Sequence, residues 1–421
     1  MFRIDSSTGT WSLKSGTEEL ADCVLSVNHE NVLKNAVVSE TTDGFDVTNK
    51  HDGFKIHATF TNKREGWSRI DLSLKNISGV ARYVSRISWF SHPLSSCFKA
   101  NAGRIKFVDL DGKWVDVSGR VNNITSRMVG ALARDPSDNA WVVGFAPPQF
   151  WAGFFDVYVK TSAPEHGTFS AFVACAPALL RINPGEEWVF DTLVLSCERP
   201  ALEGLQAFGR LCTPRTPATK TKACSGYNTW EYYREGITAE TCLRDLDALT
   251  SDVKTRGRIH TFVLDHGWQK ACGNWVFDVE RFGMNAEEWC HRVEGKGMIP
   301  GIWVAPFLAE DSIVRKIGTE PLGSGWQKTF VLDPSDPVVI DHVCGQLKDL
   351  ASAGFKFFKT DFLSQANQPG LRPYKYSNRM GAAVFRNFFT RLREAIGKDA
   401  FWLSCGTDVS ACAGIVDAAR I

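Results

Sequence analysis

An alternation of apolar and polar side chains with period two runs through the first 200 residues and then stops, and no other feature constrains the fold as much. In "FKIHATFTN" the side chains of Phe54, Ile56, Ala58 and Phe60 share one face, and in "RIDLSLKN" Ile70, Leu72 and Leu74 do the same. Such strands have one buried and one wet face, which predicts antiparallel sheets packed as a β-sandwich. Further runs at "NAWVVGFAP" and "EEWVFDTLVLSC", bounded by Gly, Pro and Asn, carry the pattern to Cys197. A helical stretch, "ALEGLQAFGRLC", then leads into "TPRTPATKTK", a proline-bearing segment that reads as a linker.

Beyond the linker, strand-like apolar runs alternate with helices that carry their own start and stop signals, so the class changes to α/β. After "IHTFVLD", Asn285 and Glu288 form a capping box, Trp289, Cys290 and Val293 share a face, and Gly295 and Gly297 end the helix. Next comes the strand "MIPGIWVAPF". In "DPVVIDHVCGQLKDLASAG" Asp336 is an N-cap and Pro337 the first helical residue, while Ile340, Val343, Leu347 and Leu350 form the buried stripe before Gly354. "FKFFKTDF" is a strand, "AAVFRNFFTRLREAIG" a helix burying Val384, Phe385, Phe388 and Leu392, and "FWLSCG" a strand. Counting "SGYNTW", the repeats give at least five βα units, most simply the start of a (β/α)8 TIM barrel.

Composition excludes several classes of partner. Lys plus Arg total 48 against 47 Asp plus Glu, which leaves no electrostatic footprint for nucleic acid or an anionic membrane. The N-terminal segment has no apolar core of a signal peptide, and no run approaches the roughly 18 apolar residues of a membrane span. A cytoplasmic location is expected. The 12 cysteines show no CxxC pair or paired metal-ligand spacing and read as reduced core residues.

In a barrel of this kind chemistry gathers at the C-terminal ends of the strands. Trp230 and Glu231 fall at the end of strand one, Asp265 and His266 at strand two, Lys359 and Asp361 at strand four, and Cys405 at strand five. Trp230, Trp268, Trp303 and Trp326 offer flat apolar faces to a sugar ring, whose hydroxyls carboxylates accept and lysine meets as donor. Taken singly, a tryptophan beside a strand is more often core, and a histidine more often structural. Asp361 differs, because a carboxylate after "GFKFF" is costly to bury, and alternation puts it on the same side as Lys359.

The segments "YNTWEYY", "VLDHGWQ", "GNWVFDVERF", "GMIPGIWVAPF", "LDPSDPVV", "FKFFKTDF" and "LSCG" resemble, in order, the α-galactosidases of glycoside hydrolase family 36, of the melibiase clan. The resemblance covers roughly residues 200–421 and implies a retaining exo-glycosidase acting on terminal α-galactosyl residues of oligosaccharides. Such enzymes need two carboxylates about 5 Å apart, one nucleophile and one acid/base. By resemblance Asp361 is the nucleophile and Lys359 holds sugar hydroxyls. Asp265 binds the O4/O6 side of galactose with Trp268 and Trp230, and Cys405 and Gly406 lie near the 2-hydroxyl. No metal or organic cofactor is implied; the expected partner is a small α-galactoside or related oligosaccharide, and family members often assemble as homo-oligomers.

Two departures stand out. The family usually has a second aspartate where this chain has His266, which a histidine could exchange for recognition of another C4 or C6 substituent. "GIVDAARI" resembles strand six, in which Arg420 matches an arginine followed four residues later by the acid/base aspartate, three residues beyond Ile421. The expectation is therefore a C-terminally truncated chain. Residues 1–200 are the N-terminal β-sandwich, 201–222 the connecting helix and linker, and 223–421 strands one to six of an incomplete (β/α)8 barrel. Asp408, just after strand five, is a weaker substitute for the missing acid, and Asp417 is expected to be structural. A raffinose-synthase-like galactosyltransferase and a non-catalytic sugar-binding protein stand as alternatives.

Overall fold

The computed structural model describes residues 1–16, 18–93, 106–108, 114–116, 123–127, 129–135, 137–146, 153–158, 167–174, 180–212, 224–367, 371–372, 374–375, 381–406 and 409–420. The linker expected at 213–222 and Asp408 lie outside the described residues. Two compact units are present, one built from Met1–Thr213 with Asn378–Ala382 and the other from Pro214–Ser377 and Ala383–Ile421.

The first unit is antiparallel β-structure, dominated among the described residues by a 10-stranded and a 6-stranded sheet. The alternation seen in the sequence is its organising rule. Strand Phe54–Arg64 pairs with Trp67–Asn76 so that Ile56 faces Leu74, Ala58 faces Leu72 and Phe60 faces Ile70. All six side chains are buried, so cross-strand apolar pairs build the sheet's inner face directly. Trp11, Trp89 and Trp141 fill the core with them. The run "EEWVFDTLVLSC" is two strands, Glu187–Val189 and Leu193–Ser196, on the same neighbour Trp67–Asn76. Between the two strands the Thr192 hydroxyl donates to the Asp71 carboxylate.

Helix Ala201–Cys212 packs on this unit, with Phe208 set edge-on to Trp67 at 6.1 Å between ring centres. The Phe208 ring occupies the space that a Cβ at Gly144 would need, 2.1 Å from that position, so the strand beneath the helix requires glycine there.

The second unit holds six parallel strands in sequential order: β1 (Gly226–Asn228), β2 (Thr261–Leu264), β3 (Ile299–Val304), β4 (Phe357–Thr360), β5 (Phe401–Cys405) and β6 (Ala418–Arg420). Helices α1 (Ala239–Ser251), α2 (Ala286–Gly295), α3 (Pro337–Ser352) and α4 (Gly381–Ile396) lie in the crossovers. Sequential parallel pairing with a helix between strands is the wall of a (β/α)8 barrel, six strands of which are present among the described residues.

The helix signals act as the sequence implies. Asn285 Oδ1 accepts from Glu288 N at 2.9 Å and Glu288 Oε2 accepts from Asn285 N at 2.8 Å, so both halves of the capping box form. Asp336 accepts from Val338 N with Pro337 in the first helical turn. Trp289 and Val293 on α2, and Val343 and Leu347 on α3, are fully buried. Two features were not foreseen: the hairpin Gln269–Ala271 with Asn274–Phe277 after β2, and a small sheet formed by Leu308–Ala309, Phe330–Val331 and Gly323–Ser324 after β3. Both add to the rim above the strand ends.

Replacing Asn285 by Ala is expected to lower the stability of the second unit by about 1 kcal/mol, because it leaves a first-turn N–H without its acceptor. Urea denaturation followed by circular dichroism measures it; an unchanged midpoint would show that the cap contributes nothing.

Candidate active site

A cavity of about 430 Å³ opens at the C-terminal ends of the parallel strands, a size suited to one small ligand. Strand register explains how its polar groups meet. Leu264 pairs with Ile302, and Trp303 pairs with Lys359, so Asp265, Trp303 and Lys359 stand at one level across β2, β3 and β4. Thr360 pairs with Ser404 and Cys405 with Arg420, which brings Asp361 and Arg420 to the next level.

The lower level is an ion pair. Lys359 Nζ donates to Asp265 Oδ2 at 2.8 Å, and both residues are buried. The same oxygen accepts from Asn228 Nδ2 at 2.8 Å, and Oδ1 accepts from His266 N at 2.9 Å. A buried carboxylate with this many donors is held in one orientation.

Asp361 forms the upper level. Its Oδ1 accepts from Phe362 N at 2.9 Å and from Arg420 Nη2 at 3.2 Å, and its Oδ2 accepts from Trp303 Nε1 at 3.2 Å. Lys359 Nζ stands 3.9 Å from the same Oδ2, so one ammonium serves both carboxylates. Phe362 holds a left-handed backbone with φ of 55°, a conformation a bulky residue rarely adopts. The turn aims its N–H at Asp361, and its ring stacks on Trp326 at 4.8 Å between centres.

Strand one delivers Asn228, Trp230 and Glu231 to the cavity. Two tyrosines flanking this segment anchor it to α1: Tyr227 and Tyr233 hydroxyls donate to opposite oxygens of Asp245 at 2.6 and 2.9 Å. Burial, then the Asp245 contact, pushes the Tyr227 phenol above its ordinary pKa, so it remains a donor.

The turn "DHGW" after β2 depends on its glycine. Gly267 has φ of +117°, and a Cβ there would lie 2.7 Å from the Glu235 carbonyl oxygen. Arg281 fastens the two loops by donating to the carbonyls of Gly267 and Glu235. The turn points His266 into the cavity beside Trp303 and Trp326, with ring centres 4.9 and 5.7 Å away. Burial pushes the imidazole pKa below its ordinary value against the opposing charges of Glu235 and Asp265, so the neutral ring is the form present near pH 7.

Of the site residues expected from sequence, Asp361, Asp265, His266, Lys359, Trp230, Trp303 and Arg420 line the cavity together. Trp268, Cys405 and Gly406 are not among its lining residues. Trp268 is wholly buried: the Gly267 turn sends it into the core against Trp275 and Phe277. Its Nε1 donates to the Trp303 carbonyl at 2.8 Å, so it supports the indole that holds Asp361. Cys405 is also wholly buried, and burial together with the Asp361 carboxylate pushes its thiol up to about 11. Gly406 acts through its backbone, donating to the Arg420 carbonyl at 3.2 Å. Asp417 is structural: its Oδ2 accepts from Arg393 Nη2 and from Trp402 N, both at 2.7 Å.

Asn228, Asp245 and Gln269 were missed as contributors. Asn228 and Gln269 sit inside the quoted motifs, but only the folded strand order shows what they touch. Among the described residues no group of three His, Cys, Asp or Glu is placed to hold a metal ion, and no helix is long and apolar enough to cross a membrane.

The architecture is similar to that of an α-galactosidase from Thermus thermophilus solved with stachyose, with a TM-score of 0.59 at 20% identity, over 89% of this chain and 78% of that one. A GH36 α-galactosidase from Geobacillus stearothermophilus is similar with a TM-score of 0.69 at 12% identity. The fold is that of the GH36 α-galactosidases. Against the Geobacillus GH36 α-galactosidase the match covers 95% of this chain and 64% of that one. The galactosidase domain of an α-galactosidase–sucrose kinase shares the fold over 95% of this chain and 61% of its own, with a TM-score of 0.67 at 12% identity. No family model matches the sequence.

Lys359→Met is expected to destabilise the second unit by roughly 3 kcal/mol, because Asp265 is left buried without its cation. The double variant Lys359→Met/Asp265→Asn should recover part of that loss. Urea midpoints of the cycle decide it, and equal losses in the single and double variants would show that the pair is not coupled.

Proposed function

We propose that this protein is a retaining exo-glycosidase acting on terminal α-galactosyl residues, with Asp361 as its nucleophile. The observation that carries the reading is the division of labour between two carboxylates in one cavity. Asp265 is held in one orientation by Lys359, Asn228 and the His266 N–H, three donors on a carboxylate that can accept about four, which suits a fixed acceptor for a sugar hydroxyl. Asp361 stands one level higher, oriented by Trp303, the Phe362 N–H and Arg420. Support also comes from the fold: one similar structure is an α-galactosidase in complex with p-nitrophenyl α-D-galactopyranoside, and another holds raffinose.

In this mechanism an Asp361 oxygen attacks the anomeric carbon as the glycosidic bond breaks, giving a covalent glycosyl-enzyme that water then hydrolyses. Lys359 shares its charge between the two carboxylates and donates to ring hydroxyls. Trp230, Trp303 and Trp326 bound the cavity with apolar faces that match the C–H side of a pyranose. Developing positive charge on the sugar is favoured by the adjacent carboxylate. The leaving oxygen must take up a proton as the bond breaks, and none of the cavity residues is assigned that step.

Hydrolysis of p-nitrophenyl α-galactoside by the protein is expected, and Asp361→Asn should lower kcat about a thousandfold or more. A fluorosugar with an activated anomeric leaving group should add one glycosyl unit to the peptide containing Asp361, read by mass spectrometry. Normal turnover by Asp361→Asn, or labelling of another carboxylate, would overturn the assignment.

A further inference from the structure

His266 stands where a carboxylate would only accept hydrogen bonds, and its neighbours decide what the imidazole does instead. Gly267 N donates to Gln269 Oε1 at 3.1 Å. A backbone N–H can only donate, so the carbonyl end of the Gln269 amide must face Gly267 and its NH₂ end must face away. That NH₂ end meets His266 Nδ1 at 2.7 Å. Nδ1 therefore accepts, and in the neutral ring the single proton sits on Nε2. Protonating Nδ1 as well would set two donors against each other at this distance.

Among the described residues no group accepts a hydrogen bond from this Nε2–H. Its nearest carboxylate oxygen is Glu235 Oε1 at 3.6 Å, beyond hydrogen-bond reach. The ring lines the cavity, edge-on to the indoles of Trp303 and Trp326. Gln269 itself is buried, so water does not readily replace its amide as the partner of Nδ1.

We propose that His266 is a specificity-determining residue that reads the bound sugar as a hydrogen-bond donor through Nε2, and that Gln269 is the positioning residue that fixes this polarity. The sugar class this selects carries an acceptor at the position facing His266: a hydroxyl, an ether oxygen or an amide carbonyl. An ammonium there, which can only donate, is rejected. The substrate side of this inference rests on the galactoside reading above, whereas the polarity of the imidazole does not.

The test is nitrogen NMR of the protein labelled with ¹⁵N-histidine, with the His266 signals assigned by their loss in His266→Gln, recorded with and without galactose. The expected result is a neutral Nε2–H tautomer at pH 7 whose Nε2 signal moves on saturation with galactose. Gln269→Leu should convert this signal to a mixture of tautomers, which a merely structural role for Gln269 would not do. An Nδ1–H tautomer or an imidazolium at pH 7 would overturn the proposal. So would galactose that binds by calorimetry while leaving the His266 signals unmoved. A normal galactose-induced shift without hydrolysis of any α-galactoside would support this inference and sink the hydrolase reading alone.

Discussion

The ion pair between Asp265 and Lys359 is the constraint around which the second unit is arranged. It spans β3, so it forms only when β2 and β4 flank that strand in the observed register. Two charges buried this far are tolerated because Asp265 accepts from Asn228 and the His266 N–H as well as from the ammonium. The pair therefore ties strands one, two and four to a common point, and that point is the floor of the cavity.

Asp361 inherits its environment from this floor. The same ammonium reaches it, and the indole between the two carboxylates, Trp303, both lines the cavity and donates to Asp361. Trp303 is held in turn by Trp268 from the core side. Chemistry at the strand ends and packing below them are thus continuous, and a change in the aromatic cluster beneath would be felt by the carboxylate above.

How much of this was legible in the sequence depended on the range of the interaction. The capping box of Asn285 and Glu288 and the cap at Asp336 were readable because their partners lie within three residues. The inward faces of Phe54–Phe60 and Ile70–Leu74 were readable because side-chain alternation is a property of the strand itself. Lys359 and Asp361 could be placed on one side of β4 for the same reason. The partnership of Lys359 with Asp265 could not, since it crosses 94 residues of sequence. Trp268 illustrates the opposite failure: it looks like Trp303 in composition and setting, but the left-handed turn at Gly267 reverses its direction and buries it. Arg420 was suggested by resemblance alone; its contact with Asp361 follows from the β5–β6 register.

The Gln269 amide has a consequence for how such a site changes over time. Its NH₂ group donates to the Nδ1 of a histidine at position 266, and the same donor would suit an oxygen of an aspartate there equally well. The supporting residue needs no replacement when the residue it supports is exchanged. Position 266 can therefore pass between an acceptor and a donor in a single substitution, without an intermediate that leaves a buried amide unpaired, and two recognition chemistries lie one evolutionary step apart on an unchanged scaffold.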